Sequence, residues 1–336
     1  MPRRYAPRND IGTIFGGPLK FKNSHKVTIQ KRSLIVITRR EFIKTGSAAA
    51  AGAAVSSVNV FGQEKKKPVV AVAKGKPEEI VKRAVDALGG IQNFVKKGDR
   101  VVLKANMGFP NPPEWGTTTH PEIVKATALL CLDAGAQRVI VLDHPLRDGI
   151  VCKEKSGIGA ALEGIKGVVI ALLEDQKFYQ DTPIPDGKQL KTTSIAKEVL
   201  RANCLINVPT AKSHDAAGVS LGIKNLMGLV WDRQFMHQQV ELNQAIADLL
   251  LVIKPKLTIV NAVYALLTNG PSGPGKTEQL DKVVASADPV AADSYMVSIA
   301  RWYNKEFKGS QVKHIKNAYD MGLGEIDVEK MDVKIV

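Results

Sequence analysis

The chain has 336 residues, of which 44% are hydrophobic and 24% charged, a balance typical of a folded globular protein and not of a disordered one. Its formal net charge is +14, but much of the excess lies in residues 1–62, which hold eleven Lys and Arg and two acidic residues. Binding to a phosphate backbone needs cations clustered on the folded part of a protein, so the net charge does not indicate a nucleic-acid partner. The three cysteines form no Cys-x-x-Cys pair and cannot supply four thiolates, so we expect no iron–sulfur cluster.

Residues 34–62 have the pattern of a twin-arginine export signal. Arg39 and Arg40 are followed by Phe42 and Lys44 and then by a run of Ala, Gly and Ser. That run is too short and too weakly apolar for a membrane span, which takes about 20 residues. We therefore predict export to the periplasm by the twin-arginine machinery, with no stable membrane span after processing.

Two further segments complete the predicted organisation. Residues 1–33 are basic, rich in Gly, Pro and Asn, and show no sustained period, so we interpret them as an N-terminal extension that is disordered or stems from a misassigned start codon. Residues 63–336 are predicted to form one α/β domain. Because 181–190 is the least patterned stretch near its middle, we expect two Rossmann-like sublobes that divide there.

Short apolar runs alternate with helical patterns along this domain. The runs are VVAVA at 69–73, RVVLKAN at 100–106, RVIVLD at 138–143, VVIAL at 168–172, CLINVP at 204–209, LTIVNA at 257–262 and VVASAD at 283–288. The clearest helical patterns lie at 77–88, 121–135, 242–253 and 289–303. Nearly continuous apolarity is typical of strands that are buried on both faces. The alternation predicts an α/β fold with a largely parallel sheet and helices on both faces.

Polar residues follow several of the predicted strands. Lys104 and Asn106 end one strand, Asp143 and His144 end another, and Asn207 ends a third. Ligands of open parallel sheets bind at the carboxyl ends of the strands. The sequence therefore predicts a binding cleft at this edge.

The densest polar stretch is INVPTAKSHDAAGVSLGIKNLMG at 206–228. Lys212, His214 and Lys224 bring up to three cationic groups together, and three glycines allow close backbone approach. Lysines beside exposed backbone amides form a natural site for a carboxylate or a phosphate. We expect these lysines to be exposed, so that their removal weakens ligand binding with little effect on folding.

The predicted site combines charged, orienting and proton-transferring side chains. Residues predicted to bind the ligand are Lys104, Asn106, Asn207, Lys212, Lys224, Asn225 and Asn269. His214 and Asp288 are predicted to move protons. A metal site formed by His120, His214, His237 and Asp288 is the alternative chemistry, although no two of these histidines have the spacing of a ligand pair on one helix.

The sequence resembles domain-of-unknown-function family 362. The matching pieces are KAN at 104–106, the block 206–228, HQQVELNQAIADL at 237–249, NGP at 269–271, ASADPVAAD at 285–293 and GLGE at 322–325. The resemblance implies an α/β domain with a polar cleft. Some relatives carry a ferredoxin-like iron–sulfur module, for which this chain lacks the cysteines. Asn261 stands where an acidic residue is often found and Ala105 where proline is often found, so no carboxylate role is carried over to position 261.

These observations predict an exported α/β protein that binds a small anionic ligand between its two lobes and is an enzyme or enzyme-like. Two alternatives stay open at this point. The first is a non-catalytic periplasmic binding or accessory protein that uses the same cleft. The second is a metal-dependent enzyme built on the four residues named above. The sequence identifies no cofactor.

Overall fold

The computed structural model of the chain describes residues 66–336. The interpretations of residues 1–33 and of the export signal at 34–62 lie outside that range. Within it, no helix combines the length and the apolar character needed to cross a membrane.

All seven predicted strands are present, together with short strands that the apolar pattern did not indicate. The strands are β1 (Val69–Lys74), β2 (Arg100–Lys104), β3 (Arg138–Asp143), β4 (Val168–Leu172), β5 (Tyr179–Pro183), β6 (Thr192–Ala196), β7 (Cys204–Asn207), β8 (Thr210–His214), β9 (Gly218–Ser220), β10 (Leu257–Leu266), β11 (Thr277–Ser286), β12 (Arg301–Trp302), β13 (Lys305–Glu306) and β14 (Asp332–Ile335).

The helices follow the predicted order but end earlier than their apolar patterns. They are α1 (Pro77–Ala87), α2 (Pro121–Asp133), α3 (Gly149–Lys155), α4 (Ile158–Leu162), α5 (Lys197–Leu200), α6 (Gly222–Asn225), α7 (Arg233–Gln238), α8 (Leu242–Leu249), α9 (Pro289–Ser298) and α10 (Lys313–Asp320). Pro121 and Pro289 occupy first helical positions, where proline loses no intrahelical hydrogen bond.

The main sheet is mixed and mostly parallel, which confirms the predicted fold class. Its order is β14-β1-β11-β10-β7-β2-β3-β4, and β8 pairs with β10 and β9. The run β7-β2-β3-β4 is parallel, whereas β11 is antiparallel to both β1 and β10. Strands from both sides of residues 181–190 join this sheet, and the segment itself belongs to the β5–β6 hairpin and its loop. The division into two sublobes stays a prediction.

Each face of the sheet packs against its own apolar core. Along β1, Val70 and Val72 point to one core while Ala71 and Ala73 point to the other, as the period of two requires. Helices α1 and α2 contribute to the second core, and α8, α9 and α10 contribute to the first. The helices therefore cover both faces, as predicted.

The register of the parallel strands aligns their polar ends. Lys104 at the end of β2 lies opposite Asn207 at the end of β7. Lys104 also lies opposite Leu142 in β3, so Asp143 follows one residue further along the same edge. Because the strands run in one direction, residues far apart in sequence meet at a single edge of the sheet.

Candidate functional site

A cavity of about 650 Å³ opens at this edge of the sheet. It is lined by six of the residues predicted to form the site, namely Lys104, Asn106, Lys212, His214, Lys224 and Asn225. His237 of the predicted metal alternative also lines it. The structure thus brings the ends of β2 and β3, the strand β8 and the helix α6 to one pocket.

Lys104 and Asp143 form a buried ion pair in the floor of the pocket. Lys104 Nζ lies 2.9 Å from Asp143 Oδ1, and both side chains are almost fully buried. The backbone amides of Met107 and His144 donate to the same carboxylate at 2.7 and 2.8 Å. Burial lowers the pKa of Lys104, and the Asp143 carboxylate opposes that change. The sequence had placed Asp143 at a strand end but had not included it among the site residues.

Gly228 leaves room for this ion pair. A Cβ at position 228 would overlap Asp143 Oδ1 and would lie 2.6 Å from Lys104 Cε. A glycine is therefore required here because the backbone approaches the pair closely, as the sequence analysis expected of the glycines in 206–228.

Asn225 connects the basic residues through its side-chain amide. Its Oδ1 accepts hydrogen bonds from Lys104 Nζ at 3.1 Å and from Asn106 Nδ2 at 3.0 Å. Its Nδ2 donates to Asn207 Oδ1 at 2.9 Å. Asn207 lies behind the pocket wall and also donates to the carbonyl of Gly222 at 2.8 Å. The structure therefore gives Asn207 a supporting position and not the predicted contact with a ligand.

Lys212 is held in the wall of the pocket by neutral acceptors. Its Nζ donates to the carbonyl of Thr117 at 2.7 Å and to Asn106 Oδ1 at 3.2 Å, and it lies 5.0 Å from the centre of the Phe109 ring. Burial lowers the pKa of Lys212 to about 7; the Asp143 carboxylate opposes this change, and the charges of Lys224 and Lys104 add to it.

Lys224 has the weakest set of partners among the pocket cations. Its Nζ contacts Met227 Sδ at 3.4 Å, and a thioether is a poor acceptor. Burial lowers the pKa of Lys224 to about 8. Among the described residues, neither Lys224 nor Lys212 has a carboxylate within salt-bridge distance.

The expectation that these lysines are exposed was wrong. Lys212 is 2% exposed and Lys224 is 6% exposed, because β8 lies between β9 and β10 and α6 packs against α8, α9 and α10. Asp293 fixes α6 in place by accepting hydrogen bonds from the amides of Gly222 and Ile223 at 2.7 and 2.8 Å. Burial raises the pKa of Asp293 to about 7, against the effect of these donors.

His214 lies in the pocket but is poorly suited to the predicted proton transfer. Its ring stacks on His237, with ring centres 6.1 Å apart, and its Nδ1 accepts from the amide of Ala216 at 3.2 Å. Burial, together with the charges of Lys224 and Lys212, lowers the pKa of His214 far below its ordinary value. The imidazole is therefore neutral at physiological pH, and the short contact with Asp215 is not an ion pair.

Besides Asn207, three predicted residues lie outside the pocket. Asp288 caps α9, where its carboxylate accepts from the amides of Val290 and Ala291 at 2.8 and 2.9 Å. Asn269 is exposed on the loop that contributes Pro271 to the pocket rim. His120 caps α2 by accepting from the amide of Glu122. The positions of Asp288 and His120 follow from the strong preference for polar side chains at helix starts.

The four-residue metal site is not assembled, which corrects that alternative. His214 and His237 are neighbours, but His120 and Asp288 are used at the starts of two helices away from them. Across residues 66–336, no group of three or more His, Cys, Asp or Glu side chains is arranged to hold a metal ion. The cysteines of this range are buried free thiols.

Sequence reasoning missed the outer wall of the pocket. Arg233 donates to the carbonyls of His144 and Pro145 at 2.6 and 3.1 Å, which fixes its guanidinium at the entrance. Trp231 stacks on His144, with ring centres 5.3 Å apart and nearly parallel planes. These residues follow the recognisable block at 206–228, where no repeated pattern marks them. The pocket thus has an ion pair in its floor, further basic residues in its wall and at its entrance, and a partly aromatic outer wall.

The chain is similar to one curated protein and, more distantly, to solved structures. It is 28% identical over 222 residues to a thylakoid-associated protein of Synechocystis. This alignment covers 64% of this chain and 67% of that protein. It aligns with lactate racemase apoprotein from Thermoanaerobacterium thermosaccharolyticum at 17% identity and a TM-score of 0.40, over 58% of this chain and 50% of that one. A Thermotoga maritima protein aligns at 14% identity and a TM-score of 0.35, over 56% and 51%. The alignments span about half of each solved chain.

The strongest family evidence covers the segment that builds the pocket. The sequence profile of a domain of unknown function, DUF362, matches residues 101–298, which is more than half of the chain. The match begins in β2, just before Lys104, and ends with α9. It therefore includes every basic residue that lines the pocket. The chain belongs to the domain-of-unknown-function family 362.

Proposed function

We propose that this protein binds a small organic anion in the pocket at the carboxyl edge of its sheet. The observation that carries the proposal is the excess of buried positive charge. Lys104, Lys212 and Lys224 are buried in the pocket and the half-buried Arg233 lines its entrance, against Asp143 in the floor and the exposed Asp232 at the rim. Burying a charge without a partner is costly, so an anion that supplies the missing partner would bind with a gain in free energy.

The size and the outer wall of the pocket favour an organic anion over an inorganic ion. A volume of about 650 Å³ falls in the range of sites for small organic molecules, about 300–1,000 Å³. Phe109, Leu146 and Trp231 supply apolar surface beside the basic residues. A ligand with a carboxylate or phosphate group and an apolar or planar body would use both parts.

Export by the twin-arginine pathway is the second part of the proposal. It is supported by the arginine pair at 39–40 before an Ala-rich segment. The proposed site of action is accordingly the periplasm or another exported location.

Titration calorimetry with matched probes tests the proposed binding function. Inorganic phosphate, benzoate and phenyl phosphate are compared with benzyl alcohol, which has the ring but no charge. We expect phenyl phosphate to bind more tightly than benzyl alcohol, and we expect its affinity to fall as salt is added. Lys224→Met should weaken binding by about tenfold or more, since a lost charge-assisted hydrogen bond costs about 1.5–3 kcal/mol. Lys254→Met, at an exposed position, is the control.

Two results would contradict the proposal. One is that none of the three anions binds more tightly than benzyl alcohol. The other is that Lys224→Met and Lys254→Met bind the anions equally. A protein that binds anions but converts no substrate would support the non-catalytic alternative, which uses the same pocket.

A further inference from the structure

We propose that Lys212 is a reactive amine that forms a Schiff base with the carbonyl group of a bound oxo acid. The inference rests on the proposed function, because the bound anion brings the carbonyl to the lysine. It adds a reactive group and a substrate class to a pocket that otherwise explains binding alone.

The position of Lys212 fits this role. Lys212 lines the pocket, and its Nζ is fixed by the carbonyl of Thr117 and by Asn106 Oδ1. The ring of Phe109 lies on one side, with its centre 5.0 Å from Nζ. Hydrogen bonds to two neutral oxygen atoms fix the orientation of the amine, and a fixed orientation reduces the entropy lost in the reaction.

The electrostatic surroundings favour the neutral amine, which is the nucleophilic form. Burial in the wall is the largest cause, and together with the neighbouring ammonium groups of Lys224 and Lys104 it outweighs the Asp143 carboxylate, which favours the charged form. The pKa of Lys212 therefore falls to about 7. A lysine near a second cation in a desolvated pocket is a known way to obtain an amine that reacts near neutral pH.

The other two pocket lysines are less suited to attack. Lys104 is paired with Asp143 at 2.9 Å, which favours its charged form. Lys224 contacts a thioether and no carboxylate within the described residues, so its side chain is free to pair with the carboxylate of the ligand. The pocket therefore separates a nucleophile from an anion-binding cation.

The reaction balances without an oxidant or a reductant. The lone pair of Lys212 Nζ attacks the carbonyl carbon, a C–N bond forms, and the carbonyl oxygen takes a proton to give a carbinolamine. Both protons come from the amine nitrogen: the second joins that oxygen, the C–O bond breaks to release water, and the C=N bond forms. The net change is an amine and a ketone converted to an imine and water.

Reductive trapping tests the inference on the full chain. The protein is incubated with pyruvate and sodium cyanoborohydride, and the adduct is located by intact-mass measurement and peptide mapping. We expect one adduct on Lys212 of the wild-type chain, formed faster as the pH is raised through about 7. Lys212→Arg should abolish it, Lys254→Arg should leave it unchanged, and phenyl phosphate should slow its formation by occupying the same pocket.

Mapping of the wild-type adduct decides the question even if Lys212→Arg does not fold. No adduct, an adduct on Lys224, or labelling spread over surface lysines would overturn the assignment of Lys212. If phenyl phosphate still binds in the calorimeter in those cases, the anion site stands and the Schiff base alone is wrong. If phenyl phosphate also fails to bind, the proposed function fails with it.

Discussion

Replacing Lys224 by Met should stabilise the empty protein while it weakens anion binding. Lys224 is buried and contacts Met227 Sδ as its hydrogen-bond partner, so the folded state carries a charge with little compensation. Methionine has a similar length and no charge. The expected gain in the free energy of unfolding reverses the sequence-based expectation that removing this lysine would leave folding nearly unchanged.

The pKa of Lys224 sets the size of the effect. A fall from 10.5 to about 8 on folding corresponds to about 3 kcal/mol, because each pKa unit is worth about 1.4 kcal/mol. Exchange of buried ionic groups for apolar ones of similar volume stabilises by about 1–4 kcal/mol in other proteins, which is the same range. A gain of this size would raise the melting temperature by several degrees.

The pH dependence identifies the cause. Below about pH 8 the lysine is charged in both states, so the penalty on the folded state is complete. Between about 8 and 10.5 the folded state releases its proton first, and the wild-type protein gains stability as the pH rises. The advantage of Lys224→Met should therefore shrink across this window.

Urea unfolding in chloride buffer, without phosphate or carboxylates, measures the difference at several pH values. Lys254→Met serves as the exposed control and should change the free energy of unfolding by less than about 0.5 kcal/mol. The reasoning would be refuted if Lys224→Met destabilised the protein at pH 7. A gain that did not change with pH would also refute it, since the charge would not be its source.

Three further predictions concern the pocket floor and the export signal. Gly228→Ala should lower the free energy of unfolding in chemical denaturation by about 1–3 kcal/mol, because the added Cβ would overlap the ion pair. The control is Gly108→Ala, whose added Cβ would meet only ordinary contacts and which should cost less than half as much. Asp143→Asn should lower the free energy of unfolding by about 3–5 kcal/mol, because it leaves Lys104 unpaired. Adding Lys104→Met to the same chain should recover part of this loss. If nothing is recovered, the broken ion pair is not the cause. Changing both arginines at 39–40 to lysine should leave the precursor in the cytoplasm in fractionation experiments, and normal export would contradict the signal assignment.

The apolar runs made most of the fold predictable. A parallel sheet buried on both faces needs nearly continuous apolar strands, and these are visible in the sequence. The antiparallel placement of β11 was not predictable, because an apolar run carries no information on strand direction. The short strands β8 and β9 were hidden for a different reason. Their residues are polar or small, and they are buried by tertiary packing around the pocket.

The candidate site was predictable where it follows strand ends. Lys104 and Asp143 come together because the parallel strands β2 and β3 end at one edge. Asp288 shows the limit of this argument, since a polar residue after a strand is also the first residue before a helix and here its carboxylate caps α9. The burial of Lys224 was not visible in the sequence, because it depends on the packing of α6 against distant residues such as Asp293.

The most direct test of the account is native mass spectrometry of the full chain purified under gentle conditions from its own export pathway. The account predicts that the wild-type protein retains an organic anion in a one-to-one complex. It also predicts that Lys224→Met, purified in parallel, has lost that mass while Lys254→Met retains it. The same mass on wild type and Lys224→Met, or a bound cation in place of an anion, would contradict the central claim that the basic residues of this pocket bind an anionic ligand.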